Sequence, residues 1–329
     1  MLRNHITDFN IDDNMLTALP LSWARTNETE ATFNVVKLPL SRRSWISTAN
    51  IPFDASFEQI YRQILRSQST GFVIRGCNED LSNYLTSQQC QAAQTGVEAV
   101  LNLQENPLSK ASLQKLMQPG SRWGRVTEIP PTAENYQRMA RFVDKTPYGN
   151  KPKLQYSFRT YFDSTQRGFA LVAPSGDWLG ALSLSLVNRN YTHTELLLRR
   201  KNAPPGVMDT LIAAVYKTLQ REGMAQWSLG EVPFVSGNGA VFEIPCSRVF
   251  TSSCQKIFLR LRRLINFGYN FEGLYFFKNK FSPEWKPLYL CGKPDLNWLI
   301  LLDLSAKTRY LHLLGNEIYC LMKKPFERQ

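Results

Sequence analysis

The sequence has few of the residues that build metal sites or disulfide frameworks. Six cysteines and only three histidines are spread over 329 residues. No two cysteines show C-x-x-C spacing, and no histidine stands near a cysteine in a ligand pattern, so we expect no metal site. The distribution is typical of scattered buried thiols in a cytosolic protein.

Long apolar runs and leader-like segments are also missing. The N-terminal stretch MLRNHITDFNIDDN contains no apolar core, so it is not typical of a signal peptide. Apolar runs such as Trp298 to Leu302 are far shorter than the roughly 20 residues that cross a bilayer. We therefore expect any membrane contact to be peripheral.

Acidic residues are outnumbered, with 27 against 39 basic ones, which gives a net charge of +12. The excess is uneven, because the segment from Lys256 to Lys293 holds eight basic residues and two acidic ones. Such an excess indicates an anionic partner: a nucleic acid, a phospholipid surface or an acidic small molecule.

The hydrophobic pattern predicts an α/β fold with a mixed sheet. A hairpin meander is followed by a crossover helix and a further strand, the order that builds such sheets with helices on both faces. Predicted strands lie at residues 71–76, 96–103, 123–129, 168–174, 178–187, 193–200 and 225–232, and predicted helices at 56–67, 132–143, 208–219 and 254–267.

The chain is predicted to divide near residues 105–122, where Pro119-Gly120 breaks the pattern. Residues 1–50 are polar and irregular and are interpreted as an arm or linker. Residues 51–115 would form a reduced first domain, and residues 116–329 a second domain.

The predicted helix at residues 254–267 carries Lys256, Arg260 and Arg263 along one side. This stripe is either a solvated basic face or a surface that contacts phosphates. The aromatic block that follows it, together with further lysines, suits a phosphodiester whose base or acyl chain also needs a surface.

The turn KNAPPGVMD begins the predicted helix at 208–219 and places Asp209 in its first turn. Acetyltransferases bind the coenzyme A pyrophosphate at such a turn through backbone N–H groups. Pro204 and Pro205 have no N–H, which argues against an acyl-CoA donor. Asp209 is either a catalytic carboxylate or a helix-capping one.

Two segments resemble a known family. LLLRRKNAPPGVMDTLIAAVYKTLQREGMAQWSLG and GYNFEGLYFFKNKFSPEWKPLYL are similar to the C-terminal catalytic domain of the phosphatidylglycerol lysyltransferases. The resemblance implies two tandem acetyltransferase-like domains, the first one reduced, and no cofactor. It implies an aminoacyl-tRNA as donor, an anionic phospholipid such as phosphatidylglycerol as acceptor, and a cytoplasmic location at the inner face of the membrane.

The same resemblance associates Lys278 or Lys280 with the lipid phosphate. We expect both on a strand, pointing to one face; the alternative is two surface lysines of an edge strand. The sequence also departs from the family. Its D-L-x-R strand here has Glu195 and Leu198, and its arginine after Gly-Leu is Tyr275.

The expected site follows from these observations and from the resemblance. The candidate catalytic residues are Glu195, Asp209 and Lys280, and the candidate substrate-binding residues are Arg199, Arg200, Arg260, Arg263, Tyr269 and Lys278. Two other functions stay open: an N-acyltransferase that uses an acyl-CoA, and a non-catalytic module that binds tRNA or lipid.

Overall fold

The computed structural model describes residues 18–105, 107–235 and 270–323 of the chain. Within these ranges eleven strands form one mixed sheet. The strands are β1 (Trp23–Thr26), β2 (Thr32–Leu38), β3 (Arg43–Pro52), β4 (Phe72–Cys77), β5 (Gln91–Asn102), β6 (Arg125–Ile129), β7 (Arg167–Val172), β8 (Trp178–Asn188), β9 (Tyr191–Arg199), β10 (Gln226–Pro233) and β11 (Glu284–Lys293).

The helices of the described ranges pack on both faces of this sheet. They are α1 (Phe57–Ser67), α2 (Glu79–Ser87), α3 (Ala111–Ser121), α4 (Ala133–Asp144), α5 (Val207–Arg221), α6 (Phe271–Asn279), α7 (Trp298–Lys307) and α8 (Tyr310–Lys323), with a short 3-10 helix at Pro107–Ser109. The predicted α/β class and mixed sheet are confirmed.

The sheet continues without a break past the predicted boundary. Its order is β1-β3-β4-β11-β5-β10-β9-β8-β7-β6, with β2 paired to β3. The late strand β11 is antiparallel to both β4 and β5, and β5 pairs with β10. The two halves of the chain therefore share one sheet, and a division near residues 105–122 stays a prediction.

The interpretation of the first fifty residues as an arm or linker is wrong for the part of this segment that the structure describes. Residues 23–52 contribute β1, β2 and β3 to the sheet. Trp23 and Trp45 are almost fully buried in its core. Short turns rich in polar residues separate these strands. The segment therefore looked polar and irregular in the sequence, and its short apolar stretches were not predicted as strands.

Alternate residues of β3 supply both faces of the sheet. Ile46 packs with α1 and α2 on one face, and Trp45 packs under α7 on the other. The predicted helix α1 is confirmed, and Ser56 and Gln59 form a capping box at its start. The side chains of Cys77, Cys90 and Cys291 are free, buried thiols, as expected for those three cysteines.

Candidate active site

Strands β9 and β10 pair only at their beginnings. They run parallel from Tyr191–His193 against Gln226–Ser228, and their pairing ends there. Next to this point Gly230 adopts a positive φ of 88°, and the register between β10 and β5 shifts between Ser228 and Glu231. The strands part beyond these residues, and polar side chains collect where they diverge.

We call this group the buried polar cluster. Its members come from both halves of the chain and are buried or half-buried: Arg75, Glu98, Arg159, Tyr191, His193, Glu195, Ser228, Glu231 and Lys278. Buried charges are costly unless they are paired, so a cluster of this kind marks a candidate functional site.

Glu195 lies at the centre of one part of the cluster. Its Oε1 accepts a hydrogen bond from Ser185 Oγ at 2.7 Å, and its Oε2 accepts one from the backbone N–H of Arg159 at 3.3 Å. The Nε of Arg159 lies 3.5 Å from Oε1. Burial raises the pKa of Glu195, while Arg159 and Ser185 act against this rise.

His193 connects Glu195 to the next strand. Its Nδ1 is 3.3 Å from Ser228 Oγ, and its Nε2 is 4.0 Å from Glu195 Oε2. Burial lowers the pKa of His193 to about 3, and the charges of Lys278 and Arg159 act in the same direction. The imidazole is therefore neutral at neutral pH and acts as a hydrogen-bonding group.

Lys278 projects into the cluster from α6. Its Nζ donates a hydrogen bond to the backbone carbonyl oxygen of Glu231 at 3.0 Å. Burial lowers its pKa from 10.5 to about 7, although the carboxylates of Glu231 and Glu98 favour the charged form. Neutral and charged forms of this lysine are therefore both populated near pH 7.

Two buried polar atoms of the cluster lack a hydrogen-bond partner among the described residues. They are Oε1 of Glu231 and Nε of Arg159. The other carboxylate oxygen of Glu231 pairs with Arg75, whose Nη1 also donates to the carbonyl oxygen of Ser157 at 3.0 Å. A buried acceptor without a donor is suited to a donor group on a substrate.

Lys280 points away from this cluster. Its Nζ lies 2.5 Å from Asp209 Oδ1, and a third of its side chain is exposed. The expectation that Lys278 and Lys280 share one face of a strand is wrong, because α6 is a helix and two positions on a helix lie about 200° apart. Asn270 caps this helix by accepting a hydrogen bond from the N–H of Gly273.

The remaining predicted site residues lie elsewhere. Arg199 is exposed at the end of β9, and Arg200 faces Asp177, with 3.4 Å between Nη1 and Oδ2. Neither belongs to the buried polar cluster. Arg260, Arg263, Tyr269 and the predicted helix at 254–267 lie outside the described residues.

The start of α5 is covered by α3. The hydroxyl of Thr210 donates to the carbonyl oxygen of Met117 at 3.0 Å. A side chain at Gly120 would collide with the carbonyl group of Gly206, and one at Gly206 would collide with the carbonyl oxygen of Leu116. This close packing brings the backbone of α3 into direct contact with the turn before α5.

Sequence reasoning identified Glu195 and Lys278 but missed the other seven members of the cluster. Five of the missed residues stand in segments that were predicted as strands: Arg75, Glu98, His193, Ser228 and Glu231. A signal was present, because a polar residue inside an otherwise apolar strand needs a buried partner. The sequence alone does not identify that partner, because it lies on an element distant along the chain.

An open groove of about 690 Å³ between α5 and β7 contains none of the residues of the buried polar cluster.

The described residues hold no group of three or more His, Cys, Asp or Glu side chains that would suit a metal ion. None of the described helices is long and apolar enough to cross a bilayer. The meander of β6 to β9, the crossover helix α5 and the parallel strand β10 define an α/β protein with a mixed sheet, and its polar cluster is buried where β9 and β10 diverge.

Comparison with known proteins identifies the family. The family described as "Phosphatidylglycerol lysyltransferase, C-terminal" matches residues 52–292, and the chain belongs to this family. The chain is 32% identical over 113 residues to the phosphatidylglycerol lysyltransferase of Bacillus subtilis (strain 168), a match that covers 34% of this chain and 12% of that protein.

A second relative matches a longer part of the chain. This is the lysylphosphatidylglycerol biosynthesis bifunctional protein LysX of Rhodococcus opacus (strain B4), with 24% identity over 236 residues, or 66% of this chain and 20% of that protein. Both matches cover only a small part of the relatives. The structure of L-PGS from Bacillus licheniformis shares the fold, with a TM-score of 0.62, 18% identity, and coverage of 87% of this chain and 86% of that one.

Proposed function

We propose that this chain transfers an aminoacyl group from an aminoacyl-tRNA to the hydroxyl group of an anionic phospholipid such as phosphatidylglycerol. One observation carries the proposal. The segment that matches the phosphatidylglycerol lysyltransferase family, residues 52–292, contains every residue of the buried polar cluster. The chain therefore combines the family's sequence pattern with a buried set of acid, base and cation.

The reaction exchanges one ester for another. The lipid hydroxyl oxygen bonds to the carbonyl carbon of the aminoacyl ester, and the bond from that carbon to the ribose oxygen breaks. The proton of the lipid hydroxyl ends on the ribose oxygen, so one group that accepts and then returns a proton is sufficient. A lysine with a pKa of about 7 fits this role, and Lys278 is that lysine.

Other members of the cluster would orient the substrates. Oε1 of Glu231, which has no hydrogen-bond partner in the described part of the chain, is suited to accept a hydrogen bond from the ammonium group of the aminoacyl moiety. His193 is neutral and supplies a hydrogen bond rather than a strong base. Glu195 holds Arg159, whose guanidinium group adds positive charge beside the developing oxyanion.

The alternative of an acyl-CoA donor is disfavoured by the packing at the start of α5. Pro204 and Pro205 remove two backbone donors from this turn. The backbone of α3 lies against Gly206, so a pyrophosphate and α3 would compete for the same space.

Exposed apolar side chains support contact with a lipid surface at the inner face of the membrane. Helices α7 and α8 follow the segment that matches the family. They expose Trp298 by 53%, Leu302 by 38%, Leu311 by 42% and Ile318 by 37%. Trp at such a position suits the boundary between lipid headgroups and acyl chains, and the neighbouring Arg309 suits anionic headgroups.

The test incubates the 329-residue chain with total aminoacylated tRNA and phosphatidylglycerol vesicles and seeks aminoacylated lipid by mass spectrometry. We expect product that disappears after ribonuclease treatment. Lys278→Met should lower the rate by about a hundredfold or more, whereas Lys280→Met should retain more activity. Product that depends on acyl-CoA instead of tRNA would replace this proposal with the acyl-CoA alternative. Binding of RNA or lipid without product would favour a non-catalytic module.

A further inference from the structure

A loop beside the buried polar cluster is basic and contains no acid. Residues 145–162 include three lysines and Arg159, with no aspartate or glutamate. The carbonyl oxygen of Lys145 accepts a hydrogen bond from the N–H of Lys201 at 2.9 Å, which brings the end of β9 against the loop. Lys145, Lys201 and Arg199 are exposed. No carboxylate of the described residues forms an ion pair with any of these three.

The loop also presents an aromatic ring to solvent. Asp144 and Lys153 close the loop with an ion pair of 2.6 Å, and the N–H of Gly149 donates to the carbonyl oxygen of Thr146 at 3.0 Å. These contacts hold the loop in a compact shape. Tyr148 is 48% exposed at its tip, and Lys151 Nζ lies over its ring, 5.2 Å from the ring centre. We call Lys145, Tyr148, Arg199 and Lys201 the basic loop surface.

The same stretch of chain continues directly into the candidate active site. The carbonyl oxygen of Ser157 accepts a hydrogen bond from Arg75, and the backbone and side chain of Arg159 contact Glu195. One segment therefore joins an exposed basic and aromatic surface to the buried polar cluster. Arg199 of this surface also lies on the same strand as Glu195, four residues away, which is roughly 13 Å along β9.

We propose that the basic loop surface binds the single-stranded 3′ end of the donor RNA. The cations contact successive phosphates, and a base stacks on Tyr148, the combination that proteins use to bind single-stranded nucleic acid. This inference rests on the proposed function and adds the place where the donor enters. It assigns Arg199 to RNA and leaves Arg200 with Asp177.

The test measures binding of fluorescently labelled, uncharged tRNA by anisotropy over a range of salt concentrations. The triple variant Lys145→Gln/Arg199→Gln/Lys201→Gln should bind more weakly and show a salt slope reduced by about 0.7 for each phosphate that is no longer neutralised. Tyr148→Ala should weaken binding by about tenfold. Removal of the 3′-terminal nucleotides from the tRNA should cancel the effect of Tyr148→Ala.

A matched control removes the same charge from other exposed positions. Arg66→Gln/Lys115→Gln/Lys217→Gln should keep the wild-type salt slope, since these residues lie on α1, α3 and α5. Equal weakening of binding in both triple variants would overturn the inference, because the effect would then be one of net charge. Unchanged binding of Tyr148→Ala would overturn it as well.

Failure of this inference can be separated from failure of the proposed function. If the Lys145/Arg199/Lys201 variant transfers aminoacyl groups at the wild-type rate, the basic loop surface is wrong and the reaction stands. If RNA binding depends on the surface but no aminoacylated lipid forms with the unmodified protein, the surface stands and the proposed reaction is wrong.

Discussion

Lys278 allows a quantitative test of the candidate active site, because burial shifts its pKa from 10.5 to about 7. At pH values between the folded-state pKa of about 7 and the unfolded-state pKa of 10.5, the unfolded chain keeps a proton on Lys278 that the folded chain has largely released. The free energy of unfolding therefore rises with pH across this window. Below the folded-state pKa both states hold the proton, so the buried charge destabilises the fold most at low pH.

The size of the effect follows from the shift. Each pKa unit corresponds to about 1.4 kcal/mol, and the part of the window between pH 7 and pH 9 contributes about 2 kcal/mol. His193 does not interfere, because its pKa of about 3 lies outside this range. Lys278→Met keeps an unbranched side chain that is one atom shorter and removes the charge, so we expect it to lose this rise in stability.

The assay is urea unfolding followed by tryptophan fluorescence at pH 7 and pH 9. The quantity compared is the difference in unfolding free energy between the two pH values. Lys280→Met is the control, since Lys280 ends the same helix but lies against Asp209 with a third of its side chain exposed. If Lys278→Met shows the same rise as the unmodified chain, the ammonium is not buried as described and its role as a proton carrier fails.

Two further predictions use matched pairs of variants. Gly206→Ala and Gly176→Ala both force alanine into a φ of +83°, which costs about 1–2 kcal/mol. Gly206→Ala should lower the free energy of unfolding in urea by more than Gly176→Ala, because its methyl group also meets the carbonyl oxygen of Leu116. Equal losses in the two variants would contradict the packing of α3 on α5. Trp298→Ser should weaken co-sedimentation with phosphatidylglycerol vesicles by about tenfold, which corresponds to roughly 55 Å² of apolar surface that is no longer buried. Trp123 is similarly exposed, and Trp123→Ser should leave co-sedimentation unchanged. Equal weakening in both variants would exclude α7 as the lipid-facing element.

Local patterns determined much of the secondary structure. Helix α1 follows from its apolar spacing and from Ser56, and the hairpin of β7 and β8 follows from the turn at Ser175-Gly176-Asp177. The family resemblance could also be recognised from the sequence, because its motifs consist of residues at fixed spacing. These features depend on neighbours in the sequence, so the sequence alone is sufficient to predict them.

Competing local signals explain one error. The stretch NFEGLYFFKN is rich in aromatic residues, which favour strands. Its cap at Asn270 and the burial of Phe271, Tyr275 and Lys278 at helical spacing make it a helix instead. The direction of Lys278 and Lys280 changed with that assignment.

Only the tertiary structure decided which side chains meet. Glu98 comes from β5, His193 from β9, Glu231 from β10 and Lys278 from α6, and these elements are distant in the sequence. They meet because β10 pairs with β5 on one side and leaves β9 on the other. The lowered pKa of Lys278 is a consequence of this burial, and spacing along the chain carries no record of the surroundings that a side chain acquires on folding.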